Sequence, residues 1–94
     1  MILYFRDKDT ESLWRGEYVR RLECIKRQGL MRLGRLEAAT GLGDLAALSG
    51  NRLEALRGDR QGQWSIRVND QRRVCFEWPH GAPGPSNVEI VDYH

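Results

Sequence analysis

The chain has 94 residues, of which 40% are hydrophobic and 30% charged, with a formal net charge of +2. That length sets a single domain over residues 1–94 as the expectation, with an adequate but thin core, and the composition is that of a globular protein rather than a disordered one. No apolar run approaches the roughly 20 residues of a membrane helix, and Arg6 interrupts the N-terminal apolar stretch too early for a signal peptide, so the expected location is the cytoplasm, without a membrane partner.

The small net charge conceals a bias. Every basic residue except Lys8 and Lys26 is arginine, the side chain suited to bidentate phosphate recognition and to stacking on bases. An arginine-favouring codon usage would produce the same composition, so position has to decide between the two. Cys24 and Cys75 stand far apart within apolar patterns and read as free thiols, not as a disulfide or a metal pair.

In chain order, "ILYF" at 2–5 predicts a short buried strand. Residues 8–15 predict a short helix, capped by Asp9 or Thr10 with acidic residues in its first turn. From Tyr18 to Ala39 the stripe Tyr18, Leu22, Ile25, Gly29, Leu33, Leu36, Ala39 steps by three and four, one face of a helix. Arg20, Arg21, Arg27 and Arg35 lie largely off that stripe, on a solvated surface. Gly29 and Gly34 each weaken the helix by about 1 kcal/mol relative to Ala, which points to a kink or close packing.

The Gly/Ser-rich segment 40–51 reads as the helix exit and a loop. "RLEAL" (52–56) is strand-like and runs into the turn "RGDRQG". Residues 63–68 alternate, with Trp64, Ile66 and Val68 on one face, and residues 73–78 alternate with Val74, Phe76 and Trp78. A three-residue loop, Asn69-Asp70-Gln71, pairs Ile66 with Val74 and Trp64 with Phe76. The same register sets Arg67 opposite Arg73 on the other face, a like-charge pair that costs stability. Either a nearby carboxylate such as Glu77 or a bound polyanion would offset it. "PHGAPGPSN" (79–87) is a loop, and "VEIVDY" predicts the last strand.

Most enzyme chemistries lack their parts. "GDRQG" is not followed by the Lys-Ser/Thr of a phosphate-binding loop. His80 and His94 are the only histidines, too few for a metal cluster of the usual spacing, and no serine or cysteine stands in a nucleophile setting. No metal and no cofactor is expected. His94, beside Tyr93 and Asp92, titrates near neutral pH and can give or take a proton, while arginines can stabilise developing phosphoryl charge. Together they could cleave RNA through its own 2′-hydroxyl; alone, a terminal "DYH" is more often a frayed tail.

"GNRLEALRGDRQGQWSIRVNDQRRVCFEW", followed by "VEIVDYH", resembles the HigB toxins of the RelE/ParE superfamily, and "FRDKDTESLWRGEYVRRL" fits the same family. The resemblance implies an α+β fold with two N-terminal helices packed on one face of a small, mostly antiparallel sheet whose open face receives RNA. It implies a ribosome-dependent endoribonuclease that cuts messenger RNA in the A site of the 30S subunit. The implied partners are a HigA-like helix-turn-helix antitoxin, the ribosome and mRNA, with operator DNA reached only through the antitoxin complex.

The family's catalytic positions carry over to Asp92, Tyr93, His94 and Arg73. Arg57 stands where some members have lysine, Glu54 where some have histidine, and Arg72 where tryptophan is common. On this resemblance His94 is the general acid or base. Tyr93 stacks on a base or assists proton transfer, and Asp92 orients its neighbours or takes the 2′-hydroxyl proton. Arg57 stabilises charge, and Glu54 is available as a base. Arg73 holds the phosphate, with Arg67, Arg60 and Arg72 as further RNA contacts. Two alternatives stay open: a ParE-like inhibitor of DNA gyrase without nuclease activity, and a toxin remnant that only binds its antitoxin.

Overall fold

The structure, a computed structural model, describes residues 1–92. Helix α1 spans Lys8–Trp14. A 3₁₀ helix, Arg20–Ile25, runs into α2, Lys26–Ala38, and a single turn, α3, covers Leu42–Ala46. Four strands follow, β1 (Glu54–Ala55), β2 (Gln63–Arg67), β3 (Arg72–Glu77) and β4 (Ser86–Asp92). They form one antiparallel sheet in chain order. The helices precede the sheet and pack on one of its faces, the α+β arrangement expected from the sequence.

The core follows from two periodicities. On the sheet, Ile66, Val68, Val74, Phe76, Val88 and Ile90 alternate inward. Against them lie Leu13, Leu22, Ile25, Leu33 and Leu36, all buried. The β2–β3 register is the expected one: Ile66 pairs with Val74, Trp64 with Phe76 and Arg67 with Arg73. Asn69 closes the loop, its side-chain oxygen accepting from the backbone N–H of Gln71 (2.9 Å) and Arg72 (2.8 Å), an Asx turn.

The long helical stripe is corrected at its start. Tyr18 is 71% exposed, and Val19 takes the inward position instead. The cause is a change of helix type. Val19, Leu22 and Ile25 step by three, which lines up on a 3₁₀ helix, whereas Ile25, Gly29, Leu33 and Leu36 follow the α repeat. The two glycines of α2 also differ. A Cβ on Gly29 would lie 3.2 Å from both Ile25 and Leu13 methyl carbons and 3.4 Å from that of Ile90, whereas one on Gly34 would meet nothing within 4 Å.

The expected strand at 2–5 reduces to a single parallel bridge, Phe5 to Val88. Leu3 and Tyr4 are exposed. This segment nevertheless covers the outer edge of β4. Leu3 N–H donates to Pro85 (2.8 Å), Arg6 N–H to Val88 (2.9 Å), and Val88 N–H to Tyr4 (3.3 Å). The cap of α1 is Asp7, whose carboxylate accepts from Thr10 N–H at 3.2 Å, in place of the expected Asp9 or Thr10. Thr10 instead serves the sheet. It is fully buried, and its hydroxyl accepts from Ile90 N–H at 2.9 Å, satisfying an edge donor of β4 that would otherwise be orphaned.

The thiols sit in opposite settings. Cys24 is exposed and Cys75 is buried in β3. Burial pushes the Cys75 thiol above its ordinary value; the Arg60 charge pulls the other way, Glu89 adds to the rise, and Arg73 opposes it.

Thr10→Val keeps the shape but strips the Ile90 donor of its partner and should cost about 1–3 kcal/mol in denaturant melts. Gly34→Ala should add about 0.5–1 kcal/mol by favouring the helix, whereas Gly29→Val should lose about 1–3 kcal/mol by overpacking. In thiol titration the native protein should modify at Cys24 and protect Cys75 until it unfolds. The raised Cys75 value makes its contribution to stability complete below the ordinary thiol range. That contribution is lost as pH climbs from there through the folded-state value.

Candidate functional site: the helix-free face of the sheet

Alternation that buries one side of β2 and β3 puts the intervening residues on the side without helices. These are Gln63, Ser65 and Arg67 on β2, and Arg73, Cys75 and Glu77 on β3. A cross-strand row runs Glu54–Ser65–Cys75–Glu89 through all four strands. Its middle members are small and fully buried although no helix covers them. Guanidinium side chains cover them instead, which is possible because Ser65 and Cys75 leave room for long stems to lie flat.

Arg73 Nε donates to Ser65 Oγ at 2.7 Å, and its Nη2 donates to the carbonyl of Arg52 at 2.8 Å. Arg52 has φ of 47°, left-handed backbone that costs a non-glycine residue about 1–3 kcal/mol. The Arg73 bond helps hold it there. Arg60, on the 3₁₀ turn Gly58–Arg60, donates to Gln63 (3.0 Å) and Glu89 (3.2 Å). The same Glu89 oxygen pairs with Arg6 at 3.4 Å. Arg67 pairs with Asp70, a nearby carboxylate of the kind expected to relieve the Arg67–Arg73 opposition, while Glu77 stands across from Gln63.

Of the residues singled out from sequence, Arg60, Arg67 and Arg73 share this face. Glu54 is in phase with it at the β1 edge and lines a groove with Ala55, Leu56 and Arg57. Two do not share it. Arg72 has the opposite phase and donates to Cys24 Sγ at 3.9 Å, on the helix side. Asp92 pairs with Arg72 and takes the same phase. Strand phase thus sets Arg72 and Asp92 together at the end of the sheet, on the side of Val74 and Ile90. Tyr93 and His94 lie outside the described residues.

Sequence reasoning missed Ser65, Cys75, Glu89, Arg6 and the Arg52 carbonyl. The first two were detectable in principle, as paired small residues on the polar phase of a hairpin whose neighbours are arginines. The others depend on loop and edge geometry with no local signature.

The profile of the "RelE-like toxin of type II toxin-antitoxin system HigB" family matches residues 3–94. The "Toxin HigB-1" of Vibrio cholerae serotype O1 is 39% identical over 83 residues, 86% of this chain and 87% of its own. The "Endoribonuclease HigB" of Proteus vulgaris is 38% identical over 63 residues, 67% of this chain and 65% of its own. Among solved structures, a "YoeB/ParE toxin from Agrobacterium tumefaciens" aligns with a TM-score of 0.48 and 18% identity, covering 99% of this chain and 97% of its own. With a profile spanning almost its whole length, this chain belongs to the HigB family of RelE-like toxins from type II toxin–antitoxin systems.

Proposed function

We infer that this toxin is a ribosome-dependent endoribonuclease that cuts messenger RNA in the A site and so arrests translation. The observation that carries the reading is the guanidinium surface of Arg60, Arg67 and Arg73 on the sheet face left open by the helices. Arginine cannot release a proton at neutral pH, so these groups hold the scissile phosphate and stabilise the charge that develops on it.

Proton transfer then falls to other residues. His94 is the general acid or base, with Tyr93 beside it to stack on a base or assist. Asp92 orients its neighbours. Glu54 and Arg57 flank one groove at the β1 edge, where Glu54 can take a proton and Arg57 can hold charge. Attack by the RNA's own 2′-hydroxyl needs a base, an acid and cationic clamps, and this residue set supplies them without a metal. A HigA-like antitoxin neutralises the protein, and operator DNA is reached through that complex. On this reading the reaction occurs in the cytoplasm, where ribosomes and message are.

On programmed ribosomes carrying end-labelled message, the wild type should cut within the A-site codon. His94→Ala should slow cleavage by about 10²–10⁴-fold and Arg73→Ala by about 10²–10³-fold. His80→Ala, in the exposed loop between β3 and β4 beside Thr40 and Leu42, should cut like wild type. Undiminished translation arrest by both the His94 and Arg73 variants would sink the assignment, as would inhibition of gyrase supercoiling in place of message cleavage.

A further inference from the structure

A second group of arginines lies where α2 meets the turn end of β2. Arg32 Nε donates to the backbone carbonyl of Arg67 at 2.7 Å, and its Nη1 lies 3.3 Å from Met31 Sδ. Arg35, one turn along, donates through Nη1 to Asn51 Oδ1 at 2.7 Å and reaches the same sulfur through Nη2 at 3.8 Å. Asn51 is itself buried, anchored by its amide to the Leu45 carbonyl at 3.1 Å. The Arg35 guanidinium is therefore positioned from beneath by a fixed group.

The hydrogen-bond acceptors of these two side chains are all neutral. Among the described residues, neither Arg32 nor Arg35 is within ion-pair distance of a carboxylate. Burial, then the Arg35 charge, then the Arg67 charge push the Arg32 guanidinium below its ordinary value. Among the described residues, Arg32 and Arg35 are thus held close together with no carboxylate set against either. Elsewhere arginines do have carboxylates: Arg21 has Asp7 and Asp9, Arg15 has Glu11, and Arg6 and Arg60 share Glu89.

The cluster is continuous with the open face. Arg35 acts on Arg32 through its charge, Arg32 bonds the Arg67 backbone, and Arg67 is the cross-strand partner of Arg73. Asp70, on Arg67, is 92% exposed in its side chain, and such surface pairs separate at little cost. A line of guanidinium groups therefore leads from Arg73 around the turn end of the sheet to α2. A row of cations matches the regular charges of a single nucleic-acid strand, and each planar fork suits a phosphate.

We propose that Arg32 and Arg35 form a second phosphate-binding station, which holds the backbone of the same RNA strand beyond the segment engaged by Arg73. This extends the nuclease reading by assigning the path of the strand. The geometry of Arg32, Arg35 and Arg67 is independent of whether cleavage occurs.

The test is fluorescence anisotropy with 2′-O-methyl RNA, which cannot be cut, across a potassium chloride series. It uses one short oligonucleotide and one long enough to run past the open face. Arg32→Gln/Arg35→Gln should bind the long RNA more weakly, with a log–log salt slope shallower by about 0.7 for each phosphate no longer neutralised. The short RNA should bind as to wild type. Arg32→Lys/Arg35→Lys, which keeps the charge, should recover most of the slope, and thermal melts separate any folding defect from a binding one. Equal slopes for the double Gln variant and wild type on the long RNA would overturn the proposal. So would an equal loss on both lengths, which marks a structural role. Weakened binding to vacant small ribosomal subunits with unchanged RNA binding would assign the pair to ribosomal RNA and overturn the shared-strand path. Because this RNA is never cleaved, a wild type without nuclease activity would sink the function proposed above while leaving this measurement intact.

Discussion

Side-chain alternation in the β2–β3 hairpin governs the geometry of the toxin. Burying Ile66, Val74 and Phe76 against the helices leaves no choice about where Arg67 and Arg73 go. A slip of one residue would carry the arginines into the core and the aliphatic side chains into water. Hydrophobic burial of one face thus brings like charges together on the other. That opposition is relieved by Asp70 on Arg67 and by the neutral acceptors that hold Arg73, the Ser65 hydroxyl and the Arg52 carbonyl.

The open face is shaped by what is small as much as by what is charged. Larger residues at 65 and 75 would lift the guanidinium groups of Arg60 and Arg73 off the sheet. With Ser65 and Cys75 there, the stems lie down and the charged heads meet Glu89, Gln63 and backbone carbonyls. The arginines are thereby preorganised, with part of their rotamer freedom already given up before any anion arrives. The burial of Cys75 and the raised value of its thiol are by-products of that arrangement.

Much of this is legible in the sequence where a strict period operates. The hairpin register, the Arg67–Arg73 opposition and the inward run from Leu22 to Leu36 follow from repeats of two and of three to four. Legibility fails where one residue serves a distant element. Thr10 reads as a cap because Ser and Thr usually do that near helix starts; its actual bond, to Ile90, spans 80 positions. Tyr18 fits the α repeat by spacing, but the chain is not yet helical there, and the 3₁₀ repeat selects Val19. At 2–5 the residue types of a strand are present, yet one bridge suffices to cover β4. The phase of Asp92, by contrast, follows from alternation alone, since it stands two residues past the inward Ile90. Periodicity assigns no catalytic roles, and those proposed above rest on the resemblance to HigB toxins.

The bond between Thr10 and Ile90 has a mechanical meaning. On one side β4 is zipped to β3, and on the other it is pinned at Val88 by the N-terminal segment and at Ile90 by α1. A strand held along both margins cannot creep lengthwise without breaking backbone bonds on each side at once. The first turns of the chain therefore act as a ruler for its final strand, so that damage at residue 10 would be felt 80 residues downstream.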